Sequence, residues 1–126
     1  MKQIIKTDQA PAPIGPYNQA VRAGNTLYVS GQIAIDPATS ELKLGDLEVE
    51  TRLVMANIEG ILKSEGLGFE HIVKTSIFLK NMDDFVQING IYGEYFTSDF
   101  PARETVQVAR LPKDVNVEIS VIAVYS

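Results

Sequence analysis

Four polar residues stand in stretches that otherwise alternate as β-strands do: Ser30, Arg103, Thr105 and Glu118. Core strand positions are normally apolar, so polar residues there need a partner or a chemical role. Arg103 follows Pro101-Ala102 at the predicted start of a strand. A guanidinium held at such a point can bind a planar carboxylate through two hydrogen bonds. A surface or intersubunit salt bridge is the alternative interpretation of this arginine.

Glu118 lies between Val117 and Ile119, where a carboxylate is costly unless it is paired or functional. It can act as a general base that activates a water molecule. It can equally form an ion pair with Arg103 or Lys113. The sequence leaves both interpretations open.

Three further residues have a functional and a structural interpretation each. Asn89 shares one side of a predicted helix with Phe85 and Tyr92, and its amide can meet a ligand or make a packing hydrogen bond. Tyr17 can form the wall of a pocket or fill the core. His71 precedes a predicted strand, where we expect a solvated histidine rather than a catalytic one.

Composition excludes several classes of chemistry. The 126-residue chain has no cysteine and one histidine, so disulfides, thiolate nucleophiles and sulfur-based zinc sites are excluded. No phosphate-binding glycine loop, paired metal-ligand spacing or nucleophile elbow is present. We therefore expect neither a metal nor a cofactor.

Charge and hydropathy limit the classes of binding partner and the cellular location that we expect. The net charge is −5 and the lysines and arginines are scattered singly, so no nucleic-acid partner is expected. No segment has the apolar length of a signal peptide or a membrane span, which predicts a cytoplasmic protein without a membrane partner. The length predicts one domain, residues 1–126.

The elements that must position these residues follow from periodicity and turn signals. Residues 10–16 contain three prolines and a glycine, which predicts a fixed loop, and Gly24-Asn25 predicts a tight hairpin turn. Apolar spacing predicts strands over 2–7, 18–22, 26–33, 72–80, 103–110 and 116–125, and helices over 46–65 and 82–96. Strict alternation predicts that Val29, Gly31 and Ile33 share the core face of the strand over 26–33, and that Val73 shares the core face of the strand over 72–80 with Thr75, Ile77 and Leu79.

This order of elements predicts an α+β fold in which both helices cover one face of a mixed sheet. Two strands near the C-terminus carry polar rows opposite their apolar rows. The uncovered face is thus neither fully polar nor fully apolar, and we expect another subunit to cover it.

Four strings in the sequence resemble signatures of one family, the reactive-intermediate deaminases of the Rid (YjgF) type. They are IGPYNQA at 14–20, YVSGQI at 28–33, the NxxY of 89–92, and PARETVQVARLPKDVNVEI at 101–119. All four occur in order, and the resemblance covers essentially the whole chain. Many members read P-A-R-S-C where this chain has Glu104 and Thr105, which leaves the preferred substrate open.

The resemblance implies a chorismate-mutase-like fold and a homotrimer whose sheets form a central barrel, with pockets at the subunit interfaces. It implies hydrolysis of small 2-imino acids, 2-iminobutanoate and 2-iminopropanoate, to 2-oxo acids and ammonia without a cofactor. Such imines arise from pyridoxal-phosphate dehydratases. Arg103 would bind the substrate carboxylate and Glu118 would position water. The implied substrate-binding residues are Tyr17, Ser30, Gly31, Asn89, Thr105 and Pro112.

Two competing functions remain at this point. The same arginine could serve a regulatory module that binds a 2-oxo acid without turnover. An endoribonuclease or translation inhibitor is also named in this family, but the acidic charge, the absence of a basic stripe and the single histidine argue against it.

Overall fold

The computed structural model describes residues 1–126 and consists of one six-stranded sheet with two α-helices. The sheet order is β1-β2-β3-β6-β4-β5, in which only β4 and β5 are parallel. The predicted α+β class and mixed sheet are confirmed. In chain order the elements are β1 (Lys2–Ile5), β2 (Ala20–Ala23), β3 (Thr26–Gln32), α1 (Leu47–Ser64), β4 (Ile72–Leu79), α2 (Phe85–Gly93), β5 (Ala102–Gln107) and β6 (Val117–Val124).

Local signals explain where several elements begin and end. Gly24 has φ of 60° in the two-residue turn between β2 and β3, a conformation that glycine adopts without strain. The Asp46 carboxylate caps α1 by accepting from the backbone N–H groups of Glu48 and Val49. Gly66, with φ of 72°, follows the end of α1. The hairpin turn and both ends of α1 were therefore predicted correctly.

The second helix is shorter than predicted. Asn81 caps a single 3-10 turn by accepting from the Asp83 N–H, and α2 itself runs only from Phe85 to Gly93. A further 3-10 turn at Pro112–Asp114 leads to β6. The predicted helix over 82–96 is thus correct in type and too long at both ends.

The main core lies between the sheet and both helices. Side chains of α1 and α2 pack on the same face of β3, β4 and β6, so both helices cover one face as predicted. The largest contributors are Leu27, Ile58, Ile61, Leu62, Ile77, Leu79, Ile88, Tyr92 and Ile119.

Two register shifts correct the predicted alternation. In β3, Val29 pairs with Val121 but Gln32 pairs with Ile119, so one extra residue lies between them. Beyond this β-bulge, Gln32 is buried, and the prediction that Gly31 and Ile33 share the core face with Val29 is wrong.

A similar shift occurs at the start of β4. Ile72 pairs with Ala123 and Lys74 with Ile122, so Val73 is unpaired and 44% exposed. Its predicted place on the core face is wrong because the extra residue changes the side to which it points.

The sheet face opposite the helices has a mixed character. Tyr28 is 49% exposed there, and the half-buried Ser120 and Ile122 lie near it on β6. A small apolar cluster of Ile33, Ile35, Leu111 and Val115 covers one end. We call this surface the open face.

No helix of the molecule is long and apolar enough to cross a membrane.

Candidate active site

One cavity of about 470 Å³ lies between the loop after β1 and the bulged end of β3. We call it the loop pocket. Its wall combines apolar residues of the loop and of the β3 end with polar ones. The residues that matter below are Tyr17, Gln19, Ser30, Gly31, Pro112 and Glu118. Five predicted site residues therefore meet in one cavity, and Tyr17, 47% exposed, is a wall residue rather than part of the core.

The loop that forms this wall is held by the buried side chain of Gln19. Its amide nitrogen donates to the carbonyl oxygens of Thr7, Ala10 and Pro11, and its oxygen accepts from the Thr7 N–H. Gly60 of α1 allows the loop backbone at Gln9 to lie directly on the helix. The proline-rich loop is thus held in place by the hydrogen bonds of Gln19 and by its packing against α1 at Gly60.

The β-bulge brings Ser30 and Gly31 to the cavity. The Ser30 hydroxyl donates to the Asn18 carbonyl at 2.5 Å, and its N–H donates to the Gln19 carbonyl at 3.0 Å. A Cβ at Gly31 would lie 2.5 Å from the Glu118 Oε2 atom. A side chain at position 31 would displace the Glu118 carboxyl, which lies directly against the Gly31 backbone.

Glu118 is half-buried in the cavity wall and forms neither a hydrogen bond nor an ion pair within the chain. Burial raises the pKa of its carboxyl, because the charged form loses water without gaining a partner. The predicted pairing with Arg103 or Lys113 is absent from the chain. A free carboxyl of raised pKa has the character of a general base.

Arg103 lies in a second cavity of about 430 Å³, lined by Asn89, Tyr92, Gly93, Phe100, Pro101 and Arg103. We call it the arginine pocket. The Arg103 Nη1 atom donates to the Asn89 Oδ1 atom at 2.7 Å. Its guanidinium carbon lies 5.2 Å from the centre of the Tyr92 ring and 5.6 Å from that of Phe85. Amide and rings together orient a guanidinium that has no carboxylate partner within the chain.

The two pockets lie on opposite faces of the sheet. Arg103 pairs with Thr75, whose buried hydroxyl contacts Tyr92 of α2, so Arg103 points to the helix side. Glu118 pairs with Phe78 and lies between buried residues of β6, so it points to the open face. Two strand spacings and a three-residue offset put the two Cα atoms about 14 Å apart.

Comparison with known proteins places this chain in a family. The family model described as Endoribonuclease L-PSP matches residues 7–125. A RutC family protein of Pyrococcus horikoshii is 50% identical over 123 residues, which are 98% of each chain. The 2-iminobutanoate/2-iminopropanoate deaminase of Bos taurus is 46% identical, covering 98% of this chain and 90% of its own. A Yersinia pestis protein of the Rid family superposes with a TM-score of 0.96 at 47% identity, covering 99% of this chain and 100% of its own.

The chain belongs to the Rid family. The resemblance seen in the sequence is confirmed. Among the Rid-type residues expected at the site, Asn89 contacts Arg103 directly, while Thr105 lines neither pocket. The Thr105 hydroxyl is buried without a hydrogen-bond partner on the same face as Arg103.

Sequence reasoning missed two polar residues that shape this Rid site. Gln19 holds the loop, and the buried Asn57 of α1 donates to the carbonyl oxygens of Ile33 and Ile35 behind the loop pocket. A signal existed for both, because each is a polar residue within an otherwise apolar pattern. No group of three or more His, Cys, Asp or Glu side chains is arranged to hold a metal ion.

Proposed function

We propose that the protein hydrolyses 2-imino acids, 2-iminobutanoate and 2-iminopropanoate among them, to 2-oxo acids and ammonia. The observation that carries the proposal is the unpaired, half-buried Glu118 carboxyl in the wall of the loop pocket. The deaminase named among its relatives supports the same reaction.

Arg103 supplies the binding half of the reaction. Its Nη1 atom donates a hydrogen bond to Asn89, and no carboxylate of the chain contacts the other N–H donors of the planar guanidinium, which form a free donor edge. Such an edge suits the carboxylate of a 2-imino acid, because the two oxygens match two parallel N–H donors. The Phe85 and Tyr92 rings, whose centres lie 5.6 and 5.2 Å from the guanidinium carbon, restrict the movement of this side chain.

Glu118 supplies the chemical half. Its carboxylate accepts a proton from water as the water oxygen attacks the imine carbon, which is electrophilic once the nitrogen is protonated. The protonated Glu118 then gives this proton to the carbinolamine nitrogen, and ammonia leaves with the C–N electron pair as the C=O bond forms. The hydroxyl proton returns to the Glu118 carboxylate, from which ammonia removes it as ammonium. Water thus provides the oxygen of the 2-oxo acid, and the nitrogen departs with its protons. Orientation and proton transfer suffice, so the proposal includes no metal or cofactor.

The two halves act on one substrate only if two copies of the chain meet. The carboxylate and imine carbons of a 2-imino acid are directly bonded, whereas Arg103 and Glu118 of one copy lie on opposite faces about 14 Å apart. We therefore assign each site to the arginine pocket of one copy and the loop pocket of its neighbour. A homotrimer with the open faces turned inward supplies three such sites.

A mixing experiment tests both the reaction and the shared site. Imine is generated in situ by threonine dehydratase, and 2-oxobutanoate formation is compared with the uncatalysed rate. Arg103→Ala and Glu118→Gln are purified with different tags, denatured, mixed and refolded, with each variant refolded alone as its control. Random mixing leaves about one quarter of the interfaces with both groups intact, so about a quarter of wild-type activity should return.

Each outcome of this experiment has a distinct meaning. Regained activity in the mixture supports a site shared between copies. Inactive mixtures beside an active wild-type protein would contradict the shared site. A wild-type protein that binds 2-oxobutanoate without accelerating imine hydrolysis would contradict the enzymatic proposal and favour a binding module.

A further inference from the structure

The segment between Pro112 and Glu118 carries unusual backbone strain at the rim of the loop pocket. Lys113 and Asp114, neither of them glycine, have φ of 53° and 55°. Two successive residues in the left-handed region persist only where the surrounding contacts hold them. Because Pro112 and Glu118 both line the pocket, whatever holds this segment also sets the geometry of the site.

The strongest hold on this segment is a buried carboxyl group far away in the sequence. Glu50 of α1 is fully buried, and its Oε2 atom accepts from the Asn116 N–H at 2.8 Å. Its Oε1 atom accepts from the Asn116 Nδ2 atom at 2.7 Å. The Asn116 carbonyl in turn accepts from the Lys80 N–H at 3.0 Å. Asn116 is therefore bound to α1 and to the end of β4 at once.

The other contacts of the segment are local to the turn or exposed. Within the turn, the Asp114 and Val115 N–H groups donate to the Leu111 and Pro112 carbonyl oxygens. Lys80 and Asp114 form an ion pair at 3.1 Å, but both side chains are well exposed and such pairs stabilise little. Leu111 and Val115 are buried in the small apolar cluster, which fixes position but not the direction of the peptide groups. The Glu50 carboxylate accepts two directed hydrogen bonds from Asn116, one from its backbone N–H and one from its side-chain amide, two residues before Glu118.

We propose that Glu50 is a positioning residue of the active site: through Asn116 it holds the strained 112–118 segment so that Pro112 and the Glu118 carboxyl keep their places in the loop pocket. This inference rests on the proposed function and adds to it a residue that touches no substrate. A buried carboxyl group within an apolar helix face is costly, and it is retained here because it directs a remote loop.

The proposal can be tested by exchanging the hydrogen-bonding roles of the Glu50 and Asn116 side chains, so that residue 50 donates and residue 116 accepts. Glu50→Ala removes both acceptors, and Asn116→Asp removes the side-chain donor and sets two carboxyl groups against each other. Glu50→Gln keeps one acceptor for the Asn116 N–H, and its new NH₂ group can donate to Asn116 once that amide flips. In the double variant Glu50→Gln with Asn116→Asp, the glutamine donates to the new carboxylate, which restores both hydrogen bonds.

The expected order of activity follows. Glu50→Ala and Asn116→Asp should lower kcat/KM by about tenfold to a hundredfold, as displaced catalytic groups do. Glu50→Gln and the double variant should stay within about threefold of wild type. The matched control is Thr51→Val, which removes a buried hydroxyl bonded to the Leu47 carbonyl at 2.8 Å, one residue along the same helix. It should melt lower than wild type yet keep kcat/KM.

Hydrogen exchange separates this inference from the proposed function. In Glu50→Ala, amide exchange over 112–118 should accelerate at least about tenfold while the rest of β6 stays protected, and Thr51→Val should leave this segment as in wild type. Unchanged exchange in Glu50→Ala would overturn the inference whatever the activity. Accelerated exchange with wild-type kcat/KM would also overturn it, since Glu50 would then hold the loop without serving the site. If wild type fails to hydrolyse imine, the proposed function fails, and the exchange result still decides whether Glu50 holds the segment.

Discussion

The loop pocket and the arginine pocket hold their functional groups in opposite ways. Around the loop pocket the side chains of Gln19, Ser30 and Asn57 donate to backbone carbonyl oxygens, while the Glu118 carboxyl is left without a partner. In the arginine pocket the charged group itself is held, by the Asn89 amide and two aromatic rings.

This difference matches what each group must do. A general base works through a carboxyl whose pKa lies near the working range, and a fixed counter-ion would lower that pKa. A binding cation instead needs a fixed direction, because two-point recognition of a carboxylate depends on the plane of the guanidinium. The comparison predicts that changes to the loop pocket affect kcat most, and changes to the arginine pocket affect KM most.

The largest effect is expected from Glu118→Gln. The amide keeps the shape of the side chain but cannot take a proton from water, so kcat should fall about a hundredfold with KM within about threefold. Steady-state kinetics on freshly generated 2-iminobutanoate measure both constants. A kcat close to wild type would remove Glu118 from the chemical step.

The pH dependence provides a control on the same residue. Burial raises the pKa of Glu118, so wild-type activity should fall with decreasing pH at a higher pH than an ordinary glutamate of pKa about 4.3 would give. A raised pKa also means that the ionised form destabilises the fold at neutral pH. Glu118→Gln should therefore melt higher than wild type at pH 7, and the difference should shrink as the pH falls through the pKa of Glu118.

The next largest effect is expected from Arg103→Ala. Because Arg103 is exposed within the chain, its two-point contact with a carboxylate lies at the low end for such pairs, about 2 kcal/mol, so kcat/KM should fall about thirtyfold, chiefly through KM. Arg103→Lys should restore little, because an ammonium lacks the planar pair of donors. Sedimentation and circular dichroism on the same preparation check that the assembly is intact. Dissociation or unfolding of Arg103→Ala would make the arginine an interface salt bridge instead.

A smaller effect is expected from Gly31→Ala. The new Cβ would meet the Glu118 carboxyl at 2.5 Å, so this side chain must move, and kcat should fall by about tenfold. The φ of Gly31 lies outside the left-handed region, so alanine brings no backbone strain and Tm should change by only a few degrees. Gly24→Ala, in the remote hairpin turn, serves as the control: its positive φ should lower Tm while kcat stays at the wild-type value. A wild-type kcat in Gly31→Ala would show that the carboxyl can act from a displaced position.

The sequence carries more of this fold than of this site. Periodicity, the Asp46 cap and the Gly24 and Gly66 turns predict every helix and strand to within a few residues, because these signals are local. The two β-bulges escape such reasoning, since an extra residue is visible only against a partner strand. The face predicted for β3 residues by strict alternation is therefore wrong from Gly31 onward, and Gly31 is a residue of the loop pocket.

The same distinction between local and long-range information applies to the site. Arg103 and Glu118 stood out as polar residues in apolar surroundings, which composition and spacing reveal. Their positions on opposite faces could not be read from the sequence, because this depends on the strand order that places β4 between β5 and β6. The role of Glu50 could not be predicted for a related reason: its partner Asn116 lies 66 residues away in the sequence, so no local pattern links the two.

The smallest effect is expected from Glu104→Gln, which tests whether the open face of β5 belongs to the site. Glu104 follows Arg103 but points to the other face, where it contacts the Ser76 hydroxyl and lies 3.1 Å from the Lys74 ammonium. These contacts lower the pKa of Glu104, so they stabilise the fold at neutral pH and the stabilisation is lost as the pH falls through that lowered pKa. Because the group is exposed, the loss in Glu104→Gln should be small, and kcat/KM should stay within about twofold of wild type. Lys74→Gln removes the other partner and should behave alike in a pH series of Tm and kcat/KM. A tenfold or larger loss of kcat/KM in Glu104→Gln, with Lys74→Gln unaffected, would show that this carboxylate reaches the substrate and that the separation of the two faces does not hold in the assembled protein.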